Sequence, residues 1–166
     1  MSEPAPITVR PARPEDAPAL IAILYDTFES TWRPQITAAA AAAFRAEERP
    51  RAFVAERGLR FLAGERGGEV VGLVYWEGDF VHALHVHSSA ARTGIGAALM
   101  DAAEAAIAAA GHPAVRLETD TFNTRSQALY AARGYHEAGR YPDEEWASGL
   151  TTLLLVKPLD KAGPPP

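Results

Sequence analysis

Apolar and polar residues alternate in two rhythms along this chain, and the switches between them mark its elements. Ile7 to Arg10 reads as a first strand. Leu20, Ile21, Ile23, Leu24 and Phe28 then recur at helical spacing, with Asp16 as the predicted N-cap. Thr37 is the predicted cap of a second, alanine-rich helix running through Phe44 to Glu48, which Pro50 should stop. Arg51 to Ala55 and Leu59 to Glu65 read as strands. Gly67-Gly68 signals a hairpin into a strand from Val70 to Glu77, and Gly78-Asp79 turns the chain into Phe80 to Val86. Gly96 to Ala110 reads as a helix stopped by Gly111 and Pro113. Ala114 to Thr119 is a strand, Thr124 to Arg133 a helix closed by Gly134, and Leu150 to Lys157 a last strand. The sum is one mixed α+β domain over residues 1–166, with residues 1–6 and 160–166 expected as flexible tails and no repeat or internal linker.

The strand Phe80 to Val86 carries two of the three histidines that lie close together. Strict alternation puts Phe80, His82, Leu84 and Val86 on one face, and Val81, Ala83, His85 and His87 on the other. With no carboxylate or cysteine completing a ligand set, no metal site is expected.

Composition narrows the chemistry. An apolar fraction of 48% over 166 residues is enough for a sizeable core. A formal charge of −5 and a pI near 5.5 argue against a nucleic-acid partner. The chain has no cysteine, which removes disulfides, thiolate metal sites and a cysteine nucleophile together. No basic-then-apolar leader is visible and no apolar run approaches about 18 residues. A cytoplasmic protein without a membrane partner is therefore expected.

The candidate chemistry begins at Leu84. An extended run ends in a small polar segment, then Gly94-Ile95-Gly96, and a helical pattern starts at once. Glycines let backbone approach phosphate closely, and the free N–H groups of a first helical turn point at it. A dinucleotide fingerprint does not fit, because its third glycine would fall at Leu99. The run Ala91-Arg92-Thr93-Gly94-Ile95-Gly96 resembles the acyl-CoA pyrophosphate loop of the GNAT N-acetyltransferase family, Gln/Arg-x-x-Gly-x-Gly/Ala. The leading slot departs from that pattern in holding Ala91, with an arginine one place later. A second segment, from Asn123 to Tyr135, is similar to the family's Asn-x-x-(small)-x-x-Leu-Tyr-x-x-x-Gly-(Phe/Tyr), at Asn123, Ser126, Leu129, Tyr130, Gly134 and Tyr135. The opening from Ile7 to Asp16 also resembles many members, so the likeness spans nearly the whole chain.

The resemblance implies a fold, a cofactor and a division of labour. The fold would be α+β, with a mixed, mainly antiparallel central sheet flanked by about four helices. The cofactor would be acetyl-CoA, its pyrophosphate on the backbone amides of Arg92, Thr93, Gly94, Ile95, Gly96 and Ala97. Leu84, Val86 and Asn123 would hold the pantetheine arm, and Arg125 is a candidate for the 3′-phosphate. Tyr130 would sit near the thioester sulfur and donate a proton or hydrogen bond to the departing thiolate. Members place a proton acceptor on the strand before the loop, and His82 occupies the position of a family histidine there. Imidazole exchanges protons in the useful range; Glu77 and Asp79 are further candidates. Phe28, Trp32, Tyr75, Trp76, Tyr141 and Trp146 are the expected aromatic wall for the acceptor, with Asp143-Glu144-Glu145 nearby. The implied reaction is direct transfer to a primary amine, on a small molecule or a peptide, with a homodimer expected by resemblance alone. A non-catalytic acyl-CoA-binding sensor or partner module is the alternative.

Overall fold

A computed structural model describes residues 5–143 and 149–159. Its elements run β1 (Ile7–Pro11), α1 (Ala17–Thr27), α2 (Ala38–Ala46), α3 (Arg49–Arg57), β2 (Leu62–Arg66), β3 (Glu69–Glu77), β4 (Phe80–Val86), α4 (Ile95–Ala109), β5 (Ala114–Asp120), α5 (Thr124–Ala132), β6 (His136–Pro142) and β7 (Thr151–Pro158). The strands form one sheet in the order β1-β2-β3-β4-β5-β7-β6. All neighbours are antiparallel except β4 and β5. The α+β class and the mainly antiparallel sheet are as expected; the α-helices number five.

Two apolar layers clothe the sheet. On one face α4 buries Ile95, Leu99, Met100 and Ile107 against Val71, Val74, Val81, Val115 and Leu117. Gly64 and Gly72 bring that helix unusually close: a Cβ at Gly72 would stand 2.7 Å from Ile95 Cγ2 and 2.9 Å from Leu99 Cδ1. On the other face α1 and α3 bury Leu20, Ile23, Leu24 and Val54 against Phe61, Leu73 and Tyr75. Glu104 of α4 ties three elements together beneath the first layer. It accepts from Arg133 at 3.0 Å, from Lys157 of β7 at 2.7 Å and from the Tyr135 hydroxyl at 2.8 Å.

Three expectations need correction. Residues 51–55 are not a strand but the body of α3, and Pro50 starts that helix rather than only ending α2. Glu48 takes a left-handed conformation (φ 46) that breaks the chain between the two helices. A proline in a first turn loses no hydrogen bond, because that N–H has no partner in a helix anyway. Val54 is then buried and Phe53 packs 5.0 Å from Phe61. Second, β6 has no counterpart in the hydropathy pattern, since six of its seven residues are exposed on a sheet edge. Third, Asp16 does not cap α1. Its carboxylate instead takes Arg13 N–H at 2.7 Å and the Arg10 guanidinium at 2.8 Å.

Two departures from a regular ladder shape the middle of the sheet. The parallel pairing of β4 and β5 covers only Phe80 with Arg116 and Val81 with Leu117, after which the strands separate. Next to that point β4 bulges: Val81 faces Trp76 and Ala83 faces Tyr75, leaving His82 as the extra residue. Strict alternation along β4 therefore fails. Val81 joins Leu84 and Val86 on the α4 face, while His82, Ala83 and His85 lie towards α1.

Candidate active site

The glycine turn closes the C-terminal end of β4 onto α4. Ser88–Ala90 form one 3-10 turn, Thr93 donates its hydroxyl to the Ala90 carbonyl at 2.6 Å, and Gly94 takes φ +92 as the α4 N-cap. An L residue with a side chain is strained at that φ. The first amide to close a helical bond is that of Ala98, on Gly94 O. The amides of Arg92 to Ala97 find no protein acceptor among the described residues. Ile95 is fully buried and pins the helix start. Arg92 stands exposed at φ 61 with no acidic partner among the described residues. Asp26 of α1 holds the turn from below, accepting Ser88 N–H and the Ser88 hydroxyl, each at 2.8 Å.

Beyond Val81 the edge of β4 that faces β5 carries no ladder partner, so backbone groups from His82 to Val86 are open along the cleft. Leu84 and Val86 rest against the α4-side core. A pyrophosphate needs several convergent N–H donors, and a pantetheine arm needs an unpaired strand edge. Both are present and contiguous, so these residues fit acetyl-CoA.

α5 lines the same region. Asn123 caps it, its Oδ1 accepting Ser126 N–H at 3.2 Å, which leaves the side-chain amide N–H₂ for a ligand. Tyr130 lies in the buried cluster with Val81, Leu117 and Leu99, 7% exposed, its ring 5.4 Å from that of Tyr135. Burial pushes the phenol of Tyr130 well above its ordinary range, so it stays protonated. Its hydroxyl has no protein partner among the described residues and is not sealed from solvent.

The histidines and aromatics divide unequally around the cleft. His82 sits on the bulge, its ring stacked 5.7 Å from Tyr75 and tilted 4.8 Å from Phe80, with Nε2 3.8 Å from Glu77. Glu77 also accepts the Tyr75 hydroxyl and pairs with Arg57 and Arg60, and Asp79 is clamped by Arg116 through two bonds of 2.9 Å. Trp32 ends a single π-helical turn after α1 and reaches the C-terminal end of β5. Tyr141 is 38% exposed, and burial and the nearby charge of Glu118 push its phenol up. Phe28 is 4% exposed and stacked 3.8 Å on Phe44, where it seats α2. Tyr75 is 3% exposed behind His82, and Trp76 lies on the opposite, α4 face. Trp146, Glu144 and Glu145 lie outside the described residues, and Asp143 is the last residue described before them. Among the described residues no three His, Asp or Glu side chains gather as a metal set.

Sequence reasoning did not single out Thr27, His85, Asp26 or Asp120, which the fold brings to this cleft. Asp120 lies three residues before Asn123 and shares the Glu118 face of β5, a periodicity visible in the chain. Its partner Trp32 is 88 residues away and leaves no local trace.

Residues 19–135 match the profile of the Acetyltransferase (GNAT) family. The chain is 33% identical over 102 residues to a blasticidin-S acetyltransferase of Streptomyces morookaense, covering 60% of this chain and 73% of that one. The fold superimposes on the GCN5-related N-acetyltransferase of Rhodopseudomonas palustris with a TM-score of 0.77, at 23% identity, over 96% of this chain and 99% of the other. The PaiA N-acetyltransferase of Thermoplasma acidophilum, solved in complex with coenzyme A, matches with a TM-score of 0.72 at 16% identity, over 93% and 99% of the two chains. Acetyl-CoA is the cofactor of this family, and the open amides of the glycine turn and the unpaired edge of β4 suit it. The chain belongs to the GNAT acetyltransferase family.

Proposed function

We propose that this protein transfers an acetyl group from acetyl-CoA directly to a primary amine held with it in one ternary complex, with Tyr130 as acid and His82 as base. The observation that carries this reading is the Tyr130 hydroxyl, protonated on a buried ring and without a protein partner among the described residues, beside the unpaired edge of β4. The cofactor supplies an activated acetyl thioester when bound. The amides of Arg92 to Ala97 hold its pyrophosphate, with Arg92 as the free cation that the Ala91 departure calls for. Asn123 and the β4 edge at Leu84 and Val86 align the pantetheine arm. His82, on the bulge, takes the surplus proton of the acceptor amine, directly or through water, as the new C–N bond forms. The Tyr130 hydroxyl gives its proton to the departing sulfur, so the proton count balances across the cleft. Trp32 and Tyr141 face the acceptor, while Phe28, Tyr75 and Trp76 support the walls from behind.

The blasticidin-S acetyltransferase relative supports a small polar amine as acceptor. The test is turnover of acetyl-CoA with blasticidin S, tyramine and a peptide with an N-terminal alanine. Acetylation of a small amine with the peptide inert supports the proposal; tight acetyl-CoA binding with no turnover of any amine marks an acyl-CoA-binding module instead. A homodimer through a sheet edge belongs to the same proposal, and sedimentation velocity checks it. No helix among the described residues is long and apolar enough to cross a membrane.

A further inference from the structure

Two segments far apart in sequence meet over the open end of the cleft. Trp32 donates its indole N–H to Asp120 Oδ2 at 2.8 Å, and its ring lies 5.6 Å from that of His85. One indole thus bridges β5 and β4 where they no longer pair. Burial, with the charge of Asp143, holds the Asp120 carboxyl above its ordinary range, and the indole N–H offsets only part of that by favouring the carboxylate. Its second oxygen accepts nothing from the protein among the described residues.

On the β4 side, His85 Nδ1 lies 2.9 Å from Thr27 Oγ1, which stands 3.2 Å from the Leu24 carbonyl. A hydroxyl has one proton and a carbonyl can only accept. With the Thr27 proton on the Leu24 carbonyl, the Thr27 oxygen receives N–H from His85. In that arrangement the other ring nitrogen, Nε2, keeps a lone pair and no proton. No protein donor meets it among the described residues, and it is not sealed from solvent. Burial lowers this imidazole to about 4, so the ring stays neutral at ordinary pH.

We infer that His85 Nε2 and the Asp120 carboxylate form a wall made only of hydrogen-bond acceptors, which grips the substrate by its N–H groups. Such a wall favours an acceptor that offers two or more N–H donors near its reacting end, an ammonium beside an amide or guanidinium. It disfavours a carboxylate in the same place, since neither group can donate. His85 on this reading binds the acceptor, while His82 moves the proton. The inference rests on the acetyltransfer reading and names the substrate class for that same site.

The test pairs two substitutions. Asparagine at 85 places its amide where Nδ1 was, keeping a bond to Thr27 and leaving nothing at Nε2. Glutamine reaches the Nε2 position instead. Steady-state kinetics would use whichever of blasticidin S, tyramine or the alanyl peptide the parent acetylates fastest, alongside calorimetry of acetyl-CoA. His85→Asn and Asp120→Asn should each raise KM for the amine about tenfold or more. His85→Gln should recover most of that loss, and acetyl-CoA affinity should not change in any of the three. Nitrogen NMR of the parent should show the proton on Nδ1, and Thr27→Val should loosen that preference. A parental KM in His85→Asn, or a proton on Nε2 in the parent, overturns the inference. A parent that binds acetyl-CoA yet acetylates no amine overturns the transfer reading and this one with it, and the parent's own turnover tells the two failures apart.

Discussion

At the scale of single residues, environment decides what each group on the cleft does. Burial keeps the Tyr130 phenol protonated through the working range, so the acid is always loaded. Tyr130→Phe should keep acetyl-CoA affinity by calorimetry and lower kcat by about a hundredfold. His85 gives a pH effect with a definite sign. Its folded value of about 4 lies below the ordinary 6.5, so between those values the unfolded chain binds more protons. The stability that the neutral ring contributes is complete above about 6.5 and is lost as pH falls towards about 4. Urea midpoints at pH 7.5 and pH 5, chosen as about one unit above the upper and one above the lower value, should fall further apart in the parent than in His85→Asn. Equal falls in both proteins contradict a buried neutral imidazole. The motif residues Asn123, Tyr130 and Gly94 were legible because each sits at a fixed offset within one segment. His85 and Asp120 were not, because their partners Thr27 and Trp32 come from α1 and the turn after it.

At the scale of elements, the cofactor end of the cleft depends on where α4 starts, and that is set by two glycines in the sheet beneath it. Gly72→Ala would push a methyl to 2.7 Å from Ile95 Cγ2, next to the amides that should hold pyrophosphate. A loss of about 1–3 kcal/mol in urea denaturation is expected, together with weaker acetyl-CoA binding. Unchanged binding in a destabilised protein would separate the helix start from the cofactor site. Nothing in hydropathy marks Gly72 as special, because its neighbour in space lies 23 positions on in α4. Periodicity found β1, β2, β3, β4, β5, β7 and helices α1, α2, α4 and α5, most plainly where an element buries one face, as β5 and α4 do. It misread residues 51–55, where Phe53 and Val54 are adjacent apolar residues compatible with either period. It missed β6, an exposed edge strand held by its ladder to β7 rather than by burial. The bulge at His82 also lay beyond strict alternation, and it is what turns His82 to the same side as His85.

At the scale of the whole molecule, the cofactor helix and the helix bearing Tyr130 are joined through one buried carboxylate. Burial opposes the charge on Glu104, but the donors of Arg133, Lys157 and Tyr135 outweigh it and hold the group ionised. Glu104→Gln should leave Arg133 and Lys157 short of a counter-charge and cost on the order of 3 kcal/mol by urea denaturation. A near-parental midpoint would show that α4, α5 and β7 are held by apolar packing alone. The α+β class and the family were legible end to end because two motifs stand in order at the right separation; this long-range tie was not, since its members lie at 104, 133, 135 and 157. The most direct measurement is calorimetric titration of acetyl-CoA into the parent and into Gly96→Asp. A Cβ at Gly96 meets Val86 Cγ2 at an ordinary 3.7 Å, so that variant should fold while placing a carboxylate among the open amides. Stoichiometric binding by the parent that Gly96→Asp abolishes is the expected result; no binding by the folded parent, or equal binding by both proteins, would contradict an acetyl-CoA site at this turn.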